Sequence, residues 1–192
     1  MALTVFSFLY FCLMQYRKKL IKKLCISIVG ALLCTQISAQ EKVNWISFED
    51  AVEFNKKDPK PLLIDIYTDW CGWCKRMDKT TYRNEFLVQY INKNFHAVKL
   101  NGEGKDSIVF KDYTFKYKPN GRRGYNEFAA LLLDGKLSYP TTVFMNTELQ
   151  LLDRVPGYLD EKMMEKVTAF FATGKYKDQK WDEFVKSFKS SL

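Results

Sequence analysis

Two cysteines two residues apart, Cys71 and Cys74, stand directly after an apolar, β-rich run from Pro61 to Tyr67 and at the first turn of a helix-favouring stretch from Gly72 to about Tyr82. A run of that length and character reads as a buried central strand, with Asp69 to Trp73 as its exit loop. Where a strand hands over to a helix, the unpaired backbone N–H groups and the positive dipole end stabilise a thiolate. Cys71 is therefore the candidate nucleophile. Cys74 lies one turn further in, close enough to form a disulfide with Cys71, and suits the role of resolving a mixed disulfide. Lys75 and Arg76 add favourable local charge.

Cysteine usage sharpens this reading. Of the five cysteines, Cys12, Cys25 and Cys34 fall in the first forty residues, leaving the 71/74 pair to the rest of the chain. Two cysteines so close together cannot staple a fold, because the loop they close is tiny. Half of a zinc site is the other reading of the pair. His96 is the single histidine, so a four-ligand site has too few partners, and neither a metal nor another cofactor is expected. His96 itself reads as a strand-end side chain.

The first forty residues carry two apolar runs, Met1 to Met14 and Leu24 to Ile37, around a basic knot of Arg17, Lys18, Lys19, Lys22 and Lys23. A positive region, an apolar stretch and then Ser38-Ala39-Gln40 is the build of a secretory signal, with cleavage expected after Ala39. Met14 would itself make a signal start, so the first thirteen residues read as a mis-assigned extension. Neither run reaches the ~18 apolar residues a membrane span needs, although a retained membrane anchor is the alternative. The expected location is periplasmic or otherwise extracytoplasmic. The whole chain has a net charge of +8; without the leader, 25 basic residues face 22 acidic ones. A nucleic-acid partner is not required to explain the basicity.

Residues 40–192 read as one domain of alternating strands and helices. Ser47 and Asp50 resemble a capping box for a short helix that stops near Asp58-Pro59. A segment from Asn84 to Asn92 is helical, and Phe95 to Leu100 is a strand. Asp106 to Lys118 is expected as a helix with Ile108, Val109, Tyr113 and Phe115 on its inner side, ended by Pro119-Asn120-Gly121. Tyr125 to Leu133 is another helix. Thr141 to Met145 and Leu149 to Val155 form a hairpin across Asn146-Thr147-Glu148. Asp160 caps a helix through Phe171, and Trp181, Phe184, Val185 and Phe188 mark a last amphipathic helix.

The segment Trp70-Cys71-Gly72-Trp73-Cys74-Lys75, after Pro61-Leu-Leu-Ile-Asp-Ile-Tyr, resembles the active-site segment of the thioredoxin-like superfamily. The resemblance spans roughly Trp45 to Phe171. It implies an α/β fold, a three-layer α/β/α sandwich with a mixed sheet. Asp65 matches the buried aspartate that exchanges a proton with the second cysteine, and Lys99 resembles the lysine paired with it. Tyr139-Pro140-Thr141 resembles the cis-proline loop that faces the cysteines and binds extended substrate. Trp70, Gly72 and Trp73 join that substrate-binding set. Gly72-Trp73 departs from the Gly-Pro of reducing thioredoxins. An insertion, about residues 104–137 and expected to be helical, lengthens the path to Pro140, and a helical extension covers about 175–192. Tyr113 through Asn126, with Arg122-Arg123, is expected to form part of a partner-docking wall.

The resulting expectation is an exported thiol–disulfide oxidoreductase acting on protein thiols and disulfides, as a reductant or isomerase rather than an oxidant. A reductant in an oxidising space needs a membrane-bound electron donor as partner. The competing reading is a redox-inactive adaptor of the same fold that holds extracytoplasmic clients on its aromatic rim.

Overall fold

A computed structural model describes residues 41–192, together with Met14 and Arg17. The rest of the leader, including the cleavage expected after Ala39, lies outside the described residues.

The central sheet has four strands: β1 (Leu62–Tyr67), β2 (His96–Asn101), β7 (Thr141–Met145) and β8 (Leu151–Pro156), in the spatial order β2-β1-β7-β8. β1 runs parallel to β2 and antiparallel to β7, and β7 is antiparallel to β8, so the sheet is mixed. Alternation along β1 sorts the molecule into layers. Leu62, Ile64 and Ile66 face a layer containing Phe48, Ala51, Phe128 and Leu132. Leu63 faces the opposite layer, with Met77, Leu87, Ile91, Met164 and Phe171. The first layer is built by α1 (Phe48–Lys57) and α4 (Glu127–Leu132). The second is built by α2 (Gly72–Lys79), α3 (Glu85–Asn94), α5 (Glu161–Ala172) and α6 (Trp181–Ser187). The three-layer α/β/α sandwich is the expected one.

Local chemistry sets the boundaries. The Ser47 hydroxyl accepts from the Asp50 N–H at 3.0 Å and donates to the Asp50 carboxylate at 2.6 Å, starting α1. Asp160 caps α5 through the Met163 N–H at 2.8 Å, and Gly174, with φ of 72°, closes its exit in the left-handed region. The stretch after Cys71 divides into α2, a 3₁₀ turn at Thr81–Arg83 and then α3, because the Asn84 side chain caps a new start by accepting from the Leu87 N–H at 3.1 Å. His96 opens β2, and its Nε2 lies 2.7 Å from the Asp58 carbonyl, a strand-end tie. The last turn of the fold is fastened by Glu165, whose buried carboxylate accepts from the Ser190 hydroxyl and from the Ser191 N–H at 2.5 Å.

The insertion differs from expectation in its first part. Residues 106–118 contain no helix; they hold β3 (Ile108–Phe110) and β4 (Tyr113–Phe115), joined by a two-residue turn at Lys111-Asp112 with Lys111 at φ 53°. A second hairpin follows, β5 (Tyr117–Asn120) and β6 (Arg123–Asn126), so Pro119-Asn120-Gly121 lies within it rather than ending a helix. The reason is a period of two. Ile108, Phe110 and Phe115 point inward, with Phe110 on Phe48 and Phe128 and Phe115 on Phe128, while Val109 and Thr114, paired across the hairpin, are exposed; Tyr113 shares the face of Phe115 but lies beside the turn and is more than half exposed. The helical part of the insertion is α4, where the Asn126 side chain accepts from the Phe128 N–H at 2.9 Å.

Candidate active site

Cys71 occupies the N-cap of α2, and its sulfur accepts a hydrogen bond from the Cys74 N–H at 3.1 Å. That puts the sulfur at the donor-rich end of an eight-residue helix, where negative charge is favoured. Cys71 and Cys74 are joined in a disulfide. Cys71 is 4% exposed and Cys74 1%, so both residues of the disulfide are buried, Cys71 slightly less so. Gly72 is exposed, and a side chain there would meet nothing within 4 Å, so packing does not demand a glycine.

Beneath α2, on the strand face opposite Leu62, Ile64 and Ile66, lies Asp65, 1% exposed. The parallel register sets Lys99 opposite Asp65, and the ammonium reaches Oδ2 at 2.5 Å. The same ammonium also bonds to Asp78 and lies 4.9, 5.1 and 5.2 Å from the ring centres of Trp45, Tyr67 and Tyr82. Burial raises the Asp65 carboxyl above its ordinary range, and attraction to Lys99 opposes this without cancelling it. Burial alone would lower the Lys99 ammonium, but Asp65 and Asp78 outweigh it and hold it higher. Among the described residues, Asp65 Oδ1, the Tyr82 hydroxyl and the Thr142 hydroxyl are buried with no partner at full hydrogen-bond geometry, although the Tyr82 hydroxyl is close enough to act on the Asp65 titration. Thr142 stands opposite Asp65 in the β1–β7 register. An Oδ1 with no donor is better tolerated on a neutral carboxyl than on a carboxylate. Asp65 makes no hydrogen bond to either sulfur in this disulfide form.

The Tyr139-Pro140 peptide bond is cis. This loop is tied down by the Thr141 hydroxyl, which donates to the Ser138 carbonyl at 2.9 Å, and by the Gly157 N–H, which donates to the Pro140 carbonyl at 2.8 Å. Tyr139 meets Trp70 edge to face, with centroids 6.0 Å apart. Trp73 packs instead against Tyr158 at 5.5 Å.

The structure thus joins Asp65 with Lys99, and Trp70 with Tyr139. It also brings in groups that reading the chain missed. Asp78 follows Cys71 and Cys74 at seven and four residues, helical spacing that places it on the same face of α2, and that periodicity was a usable signal. Glu103, which accepts from the Trp70 indole N–H at 3.0 Å, and Tyr82 carried no such signal. Among the described residues no group of three metal-ligating side chains is present, and no helix is long and apolar enough to cross a membrane.

Comparison with known proteins fits this geometry. A thioredoxin-fold protein from Helicobacter pylori superposes with a TM-score of 0.52 at 24% identity, covering 67% of this chain and 80% of that one. A thioredoxin from Thermus thermophilus gives 0.50 at 13% identity, covering 72% and 98%. At those identities the likeness concerns the fold alone. Among curated proteins, the disulfide bond reductase DsbH of Chlamydia pneumoniae is 25% identical over 123 residues, 63% of this chain and 67% of that protein. Spermatogenesis-associated protein 20 of Rattus norvegicus is 27% identical over 71 residues, 36% of this chain. The chain spans about a tenth of the length of such longer relatives, 9% of the rat protein and 12% of a Caenorhabditis elegans one. Residues 34–191 match the family model Thioredox_DsbH, described as a protein of unknown function, DUF255, and the chain belongs to that thioredoxin-like family.

Proposed function

We propose that this chain is an exported protein-disulfide oxidoreductase that works as a reductant or isomerase through Cys71 and Cys74. The observation that carries the reading is the Cys71–Cys74 disulfide at the start of α2, with the Cys71 sulfur accepting a helix N–H. A member of the same family from Chlamydia pneumoniae bears the name disulfide bond reductase, which favours the reducing direction.

In the reduced protein, the Cys71 thiolate attacks one sulfur of a client disulfide. A Cys71–client bond forms, and the client's other sulfur leaves as a thiolate and takes a proton from solvent. Cys74 then gives its proton to the Asp65 carboxylate, whose proton affinity burial raises above the ordinary carboxylate range. The Cys74 thiolate attacks the Cys71 sulfur, the client departs fully reduced, and two electrons have passed from the pair to the client. The Tyr139-Pro140-Thr141 loop would align the client backbone, with Trp70, Gly72 and Trp73 forming the floor beside it. Lys99 favours the charged form of Asp65, and the nearby Asp78 carboxylate opposes it. A dithiol donor, supplied from the membrane in an oxidising compartment, has to restore the pair. The leader read at residues 1–39 supports export, and residues 40–192 would be the mature single domain.

The deciding measurement is the reduction potential of the 71/74 couple. A value near about −270 mV marks a reductant, and one near about −120 mV an oxidant and the failure of this direction. If Cys71→Ser leaves client reduction intact, the chain is a binding adaptor instead.

A further inference from the structure

Trp70 and Trp73 flank the disulfide and are 50% and 58% exposed, which suggests a bare aromatic rim. Their ring faces are not bare. The Arg123 guanidinium lies 4.3 Å from the Trp70 ring centre, and the Arg76 guanidinium lies 5.6 Å from that of Trp73 and 5.7 Å from that of Tyr158. The rest of Trp70 is also committed, its N–H to Glu103 and an edge to Tyr139. An incoming chain therefore meets guanidinium as well as indole beside the sulfurs.

Arg123 arrives there on a fixed arm. It sits at the tip of the β5–β6 hairpin, whose turn is Gly121-Arg122 with Gly121 at φ 59°. The base of the hairpin is bonded to the loop after β2: the Asn126 N–H donates to the Gly102 carbonyl at 2.8 Å, and the Asn126 side chain donates to the Gly104 and Asp106 carbonyls at 3.2 and 3.0 Å. On its inner side Gly124 lies directly against the Tyr117 ring, where a Cβ would come within 2.3 Å.

The charge at this rim is unbalanced. Lys75, Arg76, Arg122 and Arg123 are exposed, and among the described residues none of them is within ion-pairing distance of a carboxylate. Two acids stand nearby, Glu103 accepting from the Trp70 indole and Asp69 from the Asn101 amide at 3.4 Å; both keep their charge, and the four cations outnumber them. A guanidinium stacked on a ring keeps its in-plane N–H groups free, and that fork matches a carboxylate in a bidentate way.

We propose that Arg123 and Arg76, lying over the tryptophans beside the disulfide, read carboxylates, selecting protein clients that carry Asp or Glu next to the cysteine under attack. This rests on the disulfide-exchange reading above.

The test uses the full chain, reduced beforehand, with three disulfide-bonded peptides of one core sequence flanking each cysteine by Glu, Gln or Lys. Each rate is divided by the rate with a small dithiol, which removes intrinsic leaving-group differences between the peptides. The Glu peptide is expected to react about 10-fold faster than the Lys peptide at low salt, with most of the difference lost at about 0.5 M salt. In the double variant Arg76→Gln/Arg123→Gln the ratio should fall to about 2-fold, and Arg123→Lys should restore part of it where Arg123→Gln does not. Normal reduction of all three peptides with a ratio near one overturns the rim while leaving disulfide exchange standing. So does a double variant slowed equally on all three. Failure to reduce even the Gln peptide overturns the exchange reading, and the rim with it.

Discussion

The phenol of Tyr139 occupies the space where a side chain on Gly102 would stand: a Cβ there would lie 2.4 Å from the Tyr139 ring. Gly102 follows β2 and Tyr139 precedes the cis-proline, so one missing methyl group lets the Lys99 strand end tuck under the loop that faces Trp70. Gly102→Ala would push the Tyr139 ring from this seat. The expected cost is about 1–3 kcal/mol of stability, the range of an overpacked site, together with a raised KM for peptide disulfides. Urea denaturation and steady-state kinetics on the same preparation check both.

Asp65→Asn should change stability in a pH-dependent way. The native carboxyl titrates above its ordinary value of 3.8, so between the unfolded and folded values the native state binds more protons. Stability from this group is therefore complete in acid and is lost as pH rises through the folded value. Asparagine removes that slope, so the variant should gain on the wild type as pH rises above the ordinary carboxyl value. Lys99 retains Asp78 as a partner. Thermal unfolding at a series of pH values reads the effect, and a variant that loses ground to the wild type as pH rises would contradict it. Release of client from the mixed disulfide should slow by on the order of 10²-fold.

Cys74→Ser leaves the attacking sulfur and removes the resolving one. Incubated with a disulfide client, this variant should accumulate a covalent adduct at Cys71 that a reductant dissolves, visible by intact mass. Cys71→Ser should give none. Cys12, Cys25 and Cys34 lie in the leader and residues 41–192 contain no other cysteine, so peptide mapping of the adduct should find it at Cys71.

Phe128→Ala should cost about 3–5 kcal/mol, the range for emptying an aromatic site in a core. Phe128 is fully buried and touches Phe48, Phe110 and Phe115. Because two of those partners lie on β3 and β4, the loss should also loosen the insertion, seen as faster amide exchange over residues 108–126 than over β1.

Segments with strong local punctuation were legible in the chain. Ser47 with Asp50 and the Pro59 stop bound α1, the Pro61 to Tyr67 run became β1, and Asp160 with Gly174 bound α5. The Cys71/Cys74 pair stood out because nothing else explains its spacing. Residues 106–118 were misread because Ile108, Val109, Tyr113 and Phe115 fit one helix face as well as they fit a hairpin. The turn that breaks the pattern uses Lys111, which carries no turn signature even though its φ is 53°. The Lys99–Asp78 bond was hidden for a different reason. It exists because the β1–β2 register aims Lys99 up at α2, and register is a property of paired strands that no local spacing encodes.

The insertion's inner aromatic side chains, Phe110 and Phe115, close over Phe128 while its tip carries Arg123 to Trp70. A shortened descendant could not simply drop residues 104–126. It would leave Phe48 and Phe128 wet, and would have to shrink or polarise both in the same step. Any lineage that trims this arm must therefore rebuild the floor of its sandwich, so variation in recognition and variation in foldedness are inherited as one trait.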